Sequence, residues 1–158
     1  MPRQSLLVSL TTNKATTWFI RNVASRLDPL LFRWSNGRFT TFGPAAMPML
    51  TLTTIGRRSG EPRDVQLAFV PHGDDQLIVA SAMGQARHPA WRYNLEANPR
   101  VQVQVRGERY DADTTVLPDH EKEALWGEIL EAIPQISVYE TRTDRNIRVF
   151  RLSRVTED

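Results

Sequence analysis

Three arginines, Arg57, Arg58 and Arg63, fall within seven residues of the stretch TTIGRRSGEPR (53–63), beside Gly56, Gly60, Pro62 and Ser59. Guanidinium forks bind phosphate or carboxylate two bonds at a time and stay charged at any working pH. Turn glycines let backbone N–H groups approach an anion closely, and Ser59 adds a hydroxyl. Three like charges repel in an empty turn, and a polyanion would relieve that repulsion. A plain hairpin tip also tolerates arginine. On residue types alone the turn reads equally as a solvated tip and as an anion seat.

Other chemistry is poorly supplied. There is no cysteine, which excludes disulfides, thiolate metal sites and cysteine nucleophiles. The three histidines, His72, His88 and His120, stand at no metal-ligand spacing, so no metal is expected. No G-x-S-x-G elbow is present, and GRRSG is neither a Walker loop nor a dinucleotide fingerprint. Residues 1–63 hold nine basic and two acidic residues, whereas 64–158 hold eleven and sixteen. Outside the turn the front-half arginines are spaced along a helix, which reads as a solvated face better than as a nucleic-acid patch.

The elements that must position the turn follow from the periodicity. The 158 residues, 41% hydrophobic, suffice for one globular domain, and no apolar run approaches a bilayer span. Residues 1–15 read as a loose arm. Residues 16–34 read as an amphipathic helix, with Phe19, Val23, Leu27, Leu30, Leu31 and Trp34 at three-to-four spacing between Arg21, Arg26 and Arg33. Pro29 is expected to kink or divide it. That face suits packing on the domain, and also contact with an anionic membrane surface. Residues 35–48 read as a connection. From residue 49 the period becomes two. Strands are expected over 49–55, 63–70, 76–82, 101–106, 109–117 and 146–153. Helices are expected over 89–98 and from Pro118, the latter with Leu125, Ile129 and Ile133 as its stripe. The fold class is mainly β with helices (α+β), antiparallel, consistent with a small barrel carrying N-terminal, central and C-terminal helices. A division into residues 1–44, arm and helix, and 45–158, barrel, fits the shift in pattern.

TTIGRRSGEPRDVQLAF, LIVASAMGQARHPAWRYNLEANPRVQVQV and TDRNIRVFRL together resemble the deazaflavin-dependent nitroreductase family over roughly residues 45–153. The combination G-R-[KR]-[ST]-G-x-P-R, A-S-x-x-G, H/N-P-x-W-x-x-N-L-x-A-N-P and T-D-R carries the resemblance. It implies a split β-barrel, flavin-reductase or FMN-binding-like, that binds coenzyme F420, with FMN the weaker alternative. F420 is a 5-deazaflavin with a phospholactyl-oligoglutamate tail. By the resemblance, Arg57, Arg58, Ser59 and Arg63 bind phosphate and tail. Gln66, Leu67 and Ala68 form the strand whose backbone meets the polar edge of the ring. Ala80, Ser81, Ala82 and Met83 lie near phosphate and ring, and Trp91 and Asn94 complete the pocket. Ser81 and Tyr139 match the family's candidate proton donors. The implied reaction moves a hydride from reduced deazaflavin to a hydrophobic, electron-poor acceptor such as a quinone, enone or nitro-aromatic.

The chain also departs from that pattern. Ile133 and Ile136 stand where relatives carry tyrosines, leaving Tyr139, and Ala68 stands where a tyrosine also occurs. With Tyr139 these are the expected substrate-pocket residues. Ala82 replaces a frequent lysine. The thinned tyrosine set keeps open a second reading, a non-catalytic protein binding F420, a flavin or a lipid-like ligand. A cytoplasmic location, peripheral membrane contact through residues 16–34, and a homodimer by analogy with related split barrels complete the expectations.

Overall fold

A computed structural model describes residues 13–35, 39–40, 43–44 and 47–156. Helix α1 (Lys14–Phe19) runs through a π-helical turn (Ile20–Ala24) into α2 (Ser25–Trp34). Strands β1 (Phe39–Thr40) and β2 (Gly43–Pro44) form a two-residue ladder. Then follow β3 (Met49–Ile55), β4 (Pro62–His72), β5 (Asp75–Val79), α3 (Ala90–Ala97), β6 (Arg100–Val105), β7 (Glu108–Val116), α4 (Asp119–Ala132), α5 (Gln135–Glu140) and β8 (Val149–Arg154).

Six antiparallel strands close into a barrel in the order β3-β4-β5-β8-β7-β6, with β6 returning to β3 through Thr51↔Gln104 and Leu52↔Val103. Alternation explains the closure. Leu50 and Leu52 of β3, Phe69 of β4, and Val101 and Val103 of β6 turn inward and fill the barrel core. Trp91 and Leu95 of α3 plug that core from one end, with Trp91 edge-on to Phe150 at 5.8 Å between ring centroids. A second apolar cluster lies outside the barrel wall. There Val70, Leu77 and Val149 pack against Ile129, Ile133 and Ile136. The stripe read for α4 is therefore used, and α5 completes the cover.

Four expectations need correction. Residues 76–82 do not run through as a strand. β5 stops at Val79, because Ala82, Met83 and Gly84 take left-handed φ values of 45°, 53° and 72° and turn the chain. The first helix starts at Lys14, capped by the Asn13 side chain accepting from the Ala15 N–H (3.1 Å), so residues 13–15 belong to it; residues 1–12 of the expected arm lie outside the described residues. Pro29 does not divide the segment: it falls inside α2, and the irregularity is the π-helical turn before it. Finally, α2 packs against β4, yet part of the apolar stripe is uncovered among the described residues: Leu27 is 46%, Leu30 65% and Trp34 86% exposed, as is Trp18 beside it. Part of the expected connection over 35–48 also lies outside the described residues.

Candidate functional site

The arginine turn joins β3 to β4. Gly56 N–H donates to the Glu61 carbonyl and Gly60 N–H to the Gly56 carbonyl, both at 2.8 Å. Ser59 Oγ accepts from the Glu61 N–H (3.2 Å) and sits 2.5 Å from where a Gly56 Cβ would lie, so a side chain at 56 would push the Ser59 hydroxyl out of this bond. Gly60 takes φ +70°, the left-handed region glycine enters without strain. The result is a tight tip with Arg57, Arg58 and Arg63 all exposed.

Helix α3 fixes this tip from the side. Asn94, 8% exposed, accepts from the Arg57 N–H at Oδ1 (3.1 Å) and donates from Nδ2 to Thr54 Oγ1 (3.0 Å). One buried amide thus satisfies a turn donor and a strand hydroxyl together. The Arg57 guanidinium lies 4.7 Å above the Tyr93 ring, and Arg92 lies 5.3 Å from the same ring. Between turn and helix opens a cleft of about 620 Å³, lined by the three arginines with Ser59, His88 and Tyr93 among others; Asp64 is its only acid among the described residues. A cleft with this balance favours an anion.

Beyond the turn, the strand register leaves an edge of β4 that no described strand pairs. Phe69 N–H donates to the Pro48 carbonyl (3.1 Å), which sets the phase of the β3–β4 ladder together with the Gly56–Glu61 bond. In that phase Gln66 and Ala68 point N–H and C=O away from β3. β5 takes up that side only from Phe69 to His72. Among the described strands nothing pairs with the earlier part of the edge. Both ends of the Gln66 amide, and the Thr51 hydroxyl opposite it in the ladder, are buried with no hydrogen-bond partner among the described residues. Such groups are normally satisfied by water or ligand.

The turn after β5 forms a separate group. Arg145 binds the carbonyls of Ala80, Ser81 and Gln85 and meets His88 Nδ1. Helix α5 packs on this turn, bringing Tyr139 beside it: a Cβ on Gly84 would lie 2.7 Å from the Tyr139 carbonyl. That contact is with backbone, so only glycine fits the last position of A-S-x-x-G. Burial pushes the Tyr139 phenol up from its ordinary value, the nearby Arg142 guanidinium opposing only in part, so the phenol keeps its proton at working pH.

Arg57, Arg58, Ser59, Arg63, Trp91 and Asn94 thus share one cleft. Within it Asn94 and Trp91 serve as supports, the first hydrogen-bonded at both ends of its amide and the second packed in the barrel core. Leu67 faces the barrel core, and Ala68 packs on the outer cluster. Ala80, Ser81, Ala82, Met83 and Tyr139 group around the second turn. Ile133 and Ile136 lie away from the arginine cleft. They are 7% and 1% exposed in the outer cluster, where α4 and α5 close on the barrel wall.

A family model for F420H(2)-dependent quinone reductases matches residues 24–154. An F420H(2)-dependent quinone reductase of Mycobacterium tuberculosis is 35% identical over 143 residues, which cover 87% of this chain and 96% of that protein. The chain belongs to the F420H(2)-dependent quinone reductase family. Among solved structures, an F420-H2-dependent reductase matches with a TM-score of 0.61 at 37% identity, over 67% of this chain and 94% of its own. A structure described as a domain-swapped dimer matches with a TM-score of 0.63 at 32% identity, over 87% of this chain and 98% of its own. These likenesses support the split-barrel assignment, and the family description is quinone reductase rather than nitroreductase.

Within this family frame, three residues were missed from sequence alone. Tyr93 and His88 line the cleft, and Arg145 organises the second turn. Tyr93 was legible in principle, since it adjoins Asn94 on a helix whose Trp91, Asn94 and Leu95 are buried. The fit to a deazaflavin with an anionic tail rests on three features: the arginine tip, the β4 edge that no described strand pairs, and the Gln66 amide, buried without a hydrogen-bond partner among the described residues.

Proposed function

We propose that the protein uses F420H2 to reduce a hydrophobic quinone, with the arginine turn holding the cofactor's anionic tail. The observation that carries this reading is the Asn94 clamp, which presents Arg57, Arg58 and Arg63 along one cleft beside a strand edge that no described strand pairs. Bound F420H2 supplies a hydride from its deazaflavin carbon. The guanidinium groups bind phosphate and carboxylates, and the N–H and C=O groups of Gln66 and its neighbours on that strand edge suit a donor-acceptor ring edge. The Gln66 amide adds a further polar contact at the same strand.

Reduction of a quinone also consumes protons. Tyr139, on the helix that packs against the Ser81–Gly84 turn, keeps its phenol proton, which suits an O–H donor, and Ser81 offers a hydroxyl on that turn. The test is steady-state oxidation of F420H2 against a panel of quinones, enones and nitro-aromatics. Quinones are expected to turn over fastest. Tyr139→Phe should slow turnover about a hundredfold and Ser81→Ala less, with F420 affinity unchanged. Wild-type rates in both variants would remove their proton-donor role, and absence of turnover with every acceptor would leave a binding protein.

The uncovered stripe of α1 and α2 supports a second part of this reading, peripheral contact with an anionic membrane where a hydrophobic quinone partitions. Trp18, Leu30 and Trp34 are exposed with Arg21 and Arg26 between them, the composition of an interfacial helix. Among the described residues no helix is long and apolar enough to cross a membrane. The full chain is expected to sediment with anionic vesicles and not with neutral ones. A dimer in solution that ignores vesicles would show that a second copy covers the stripe.

A further inference from the structure

The T-D-R segment stands apart from the cleft chemistry described so far. Its arginine, Arg145, spends four N–H bonds on the chain from residue 80 to 88. Nε donates to the Gln85 carbonyl (2.7 Å), one terminal nitrogen to the Ala80 carbonyl (3.1 Å), and the other to the Ser81 carbonyl (2.6 Å). The first terminal nitrogen also lies 2.9 Å from His88 Nδ1. Guanidinium is a donor only, so His88 Nδ1 must accept, which places the ring proton on Nε2. His88 lines the arginine cleft.

We propose that Arg145 is a positioning residue for the reductase reaction, holding the Ser81 turn and the Nε2–H form of His88 as one unit against the cofactor cleft. The proposal rests on the F420 reading above. Ala82 and Met83 sit in the left-handed region with side chains present, a conformation that is strained and persists only where its surroundings fix it. The carbonyls that Arg145 holds bracket both residues. The same guanidinium sets the His88 tautomer, so Ser81 and His88 share one anchor. The surroundings also keep His88 neutral. Burial lowers its pKa, Arg92, Arg145 and Arg148 lower it further, and Glu96 opposes them. His88 then lines the cleft as an uncharged ring with its proton on Nε2. The tail clamp at Arg57, Arg58 and Arg63 makes none of these contacts, which separates positioning from tail binding.

Imidazole 15N spectra of the cofactor-free protein test the anchor directly, with His72 and His120 as internal references. Wild type should show His88 as the Nε2–H form through neutral pH. Arg145→Gln should mix the tautomers and move the His88 titration upward towards 6.5, because a lowering charge is gone. In turnover, Arg145→Gln and Arg145→Lys should lose about tenfold to a hundredfold in kcat, with F420 affinity within about threefold of wild type. A Nδ1–H form in wild type would overturn the proposal whether or not the variants fold. So would a variant with wild-type kcat, or one losing affinity and kcat in equal proportion with the tautomer unmoved. Failure of wild type to bind F420 would instead remove the functional reading and leave the tautomer result standing.

Discussion

Replacing Arg57 and Arg58 together with alanine is expected to weaken F420 binding by about a hundredfold at low salt. A hydrogen bond to a charged group contributes about 1.5–3 kcal/mol, and both arginines are exposed, so the lower end applies to each. Two such losses correspond to roughly 3 kcal/mol, or a little over a hundredfold. Raising ionic strength should narrow the gap between variant and wild type, because the lost interactions are the screened ones. Arg57 carries a second consequence: its guanidinium rests on Tyr93, so its removal also uncovers that ring. Arg106→Ala serves as the charge control. The antiparallel β3–β6 register places the β6–β7 turn at the other end of the barrel from Gly56–Glu61. An equal loss in Arg106→Ala would reduce the effect to net charge and remove the clamp.

Asn94→Ala is expected to lower both stability and cofactor affinity, although Asn94 carries no charge. Its amide satisfies the Arg57 N–H and the Thr54 hydroxyl, the latter fully buried. The Thr54 hydroxyl keeps its donation to the Arg63 carbonyl (3.4 Å), so the cost is mainly that of the unpaired Arg57 N–H, about 1–3 kcal/mol. For a chain of this length that lowers Tm by roughly 3–10 °C. The tip would also lose its fixed orientation, and F420 affinity should fall with it. Asn94→Asp keeps the acceptor for the Arg57 N–H and loses the amide donor, so an intermediate effect is expected. Unchanged melting and affinity in Asn94→Ala would show that the turn holds itself without α3.

The barrel was legible because its strands alternate. MLTLTTI matches β3 residue for residue, and VQVQV sets inward valines against outward glutamines in β6. The stripe of α4 was equally legible, since Ile129 and Ile133 recur at helical spacing and pack as expected. Ile133, read both into this stripe and into a substrate pocket, is buried in the outer cluster with Ile136. The end of β5 was hidden. Ala82 and Met83 bear no local mark of a left-handed turn, which is imposed by Arg145 from sixty residues away and by α5 against Gly84. The arginine turn read evenly as tip or seat because the deciding group, Asn94, lies on another element. In each of these the missing information was a long-range contact that spacing along the chain does not encode.

The central claim is that this cleft holds F420 by its anionic tail, and fluorescence titration of purified wild-type protein with F420 tests it most directly. The account predicts saturable binding in about the micromolar range, near −8 kcal/mol, weakening steadily as salt is raised. No saturation at about tens of micromolar in low salt, or binding indifferent to salt, would contradict it.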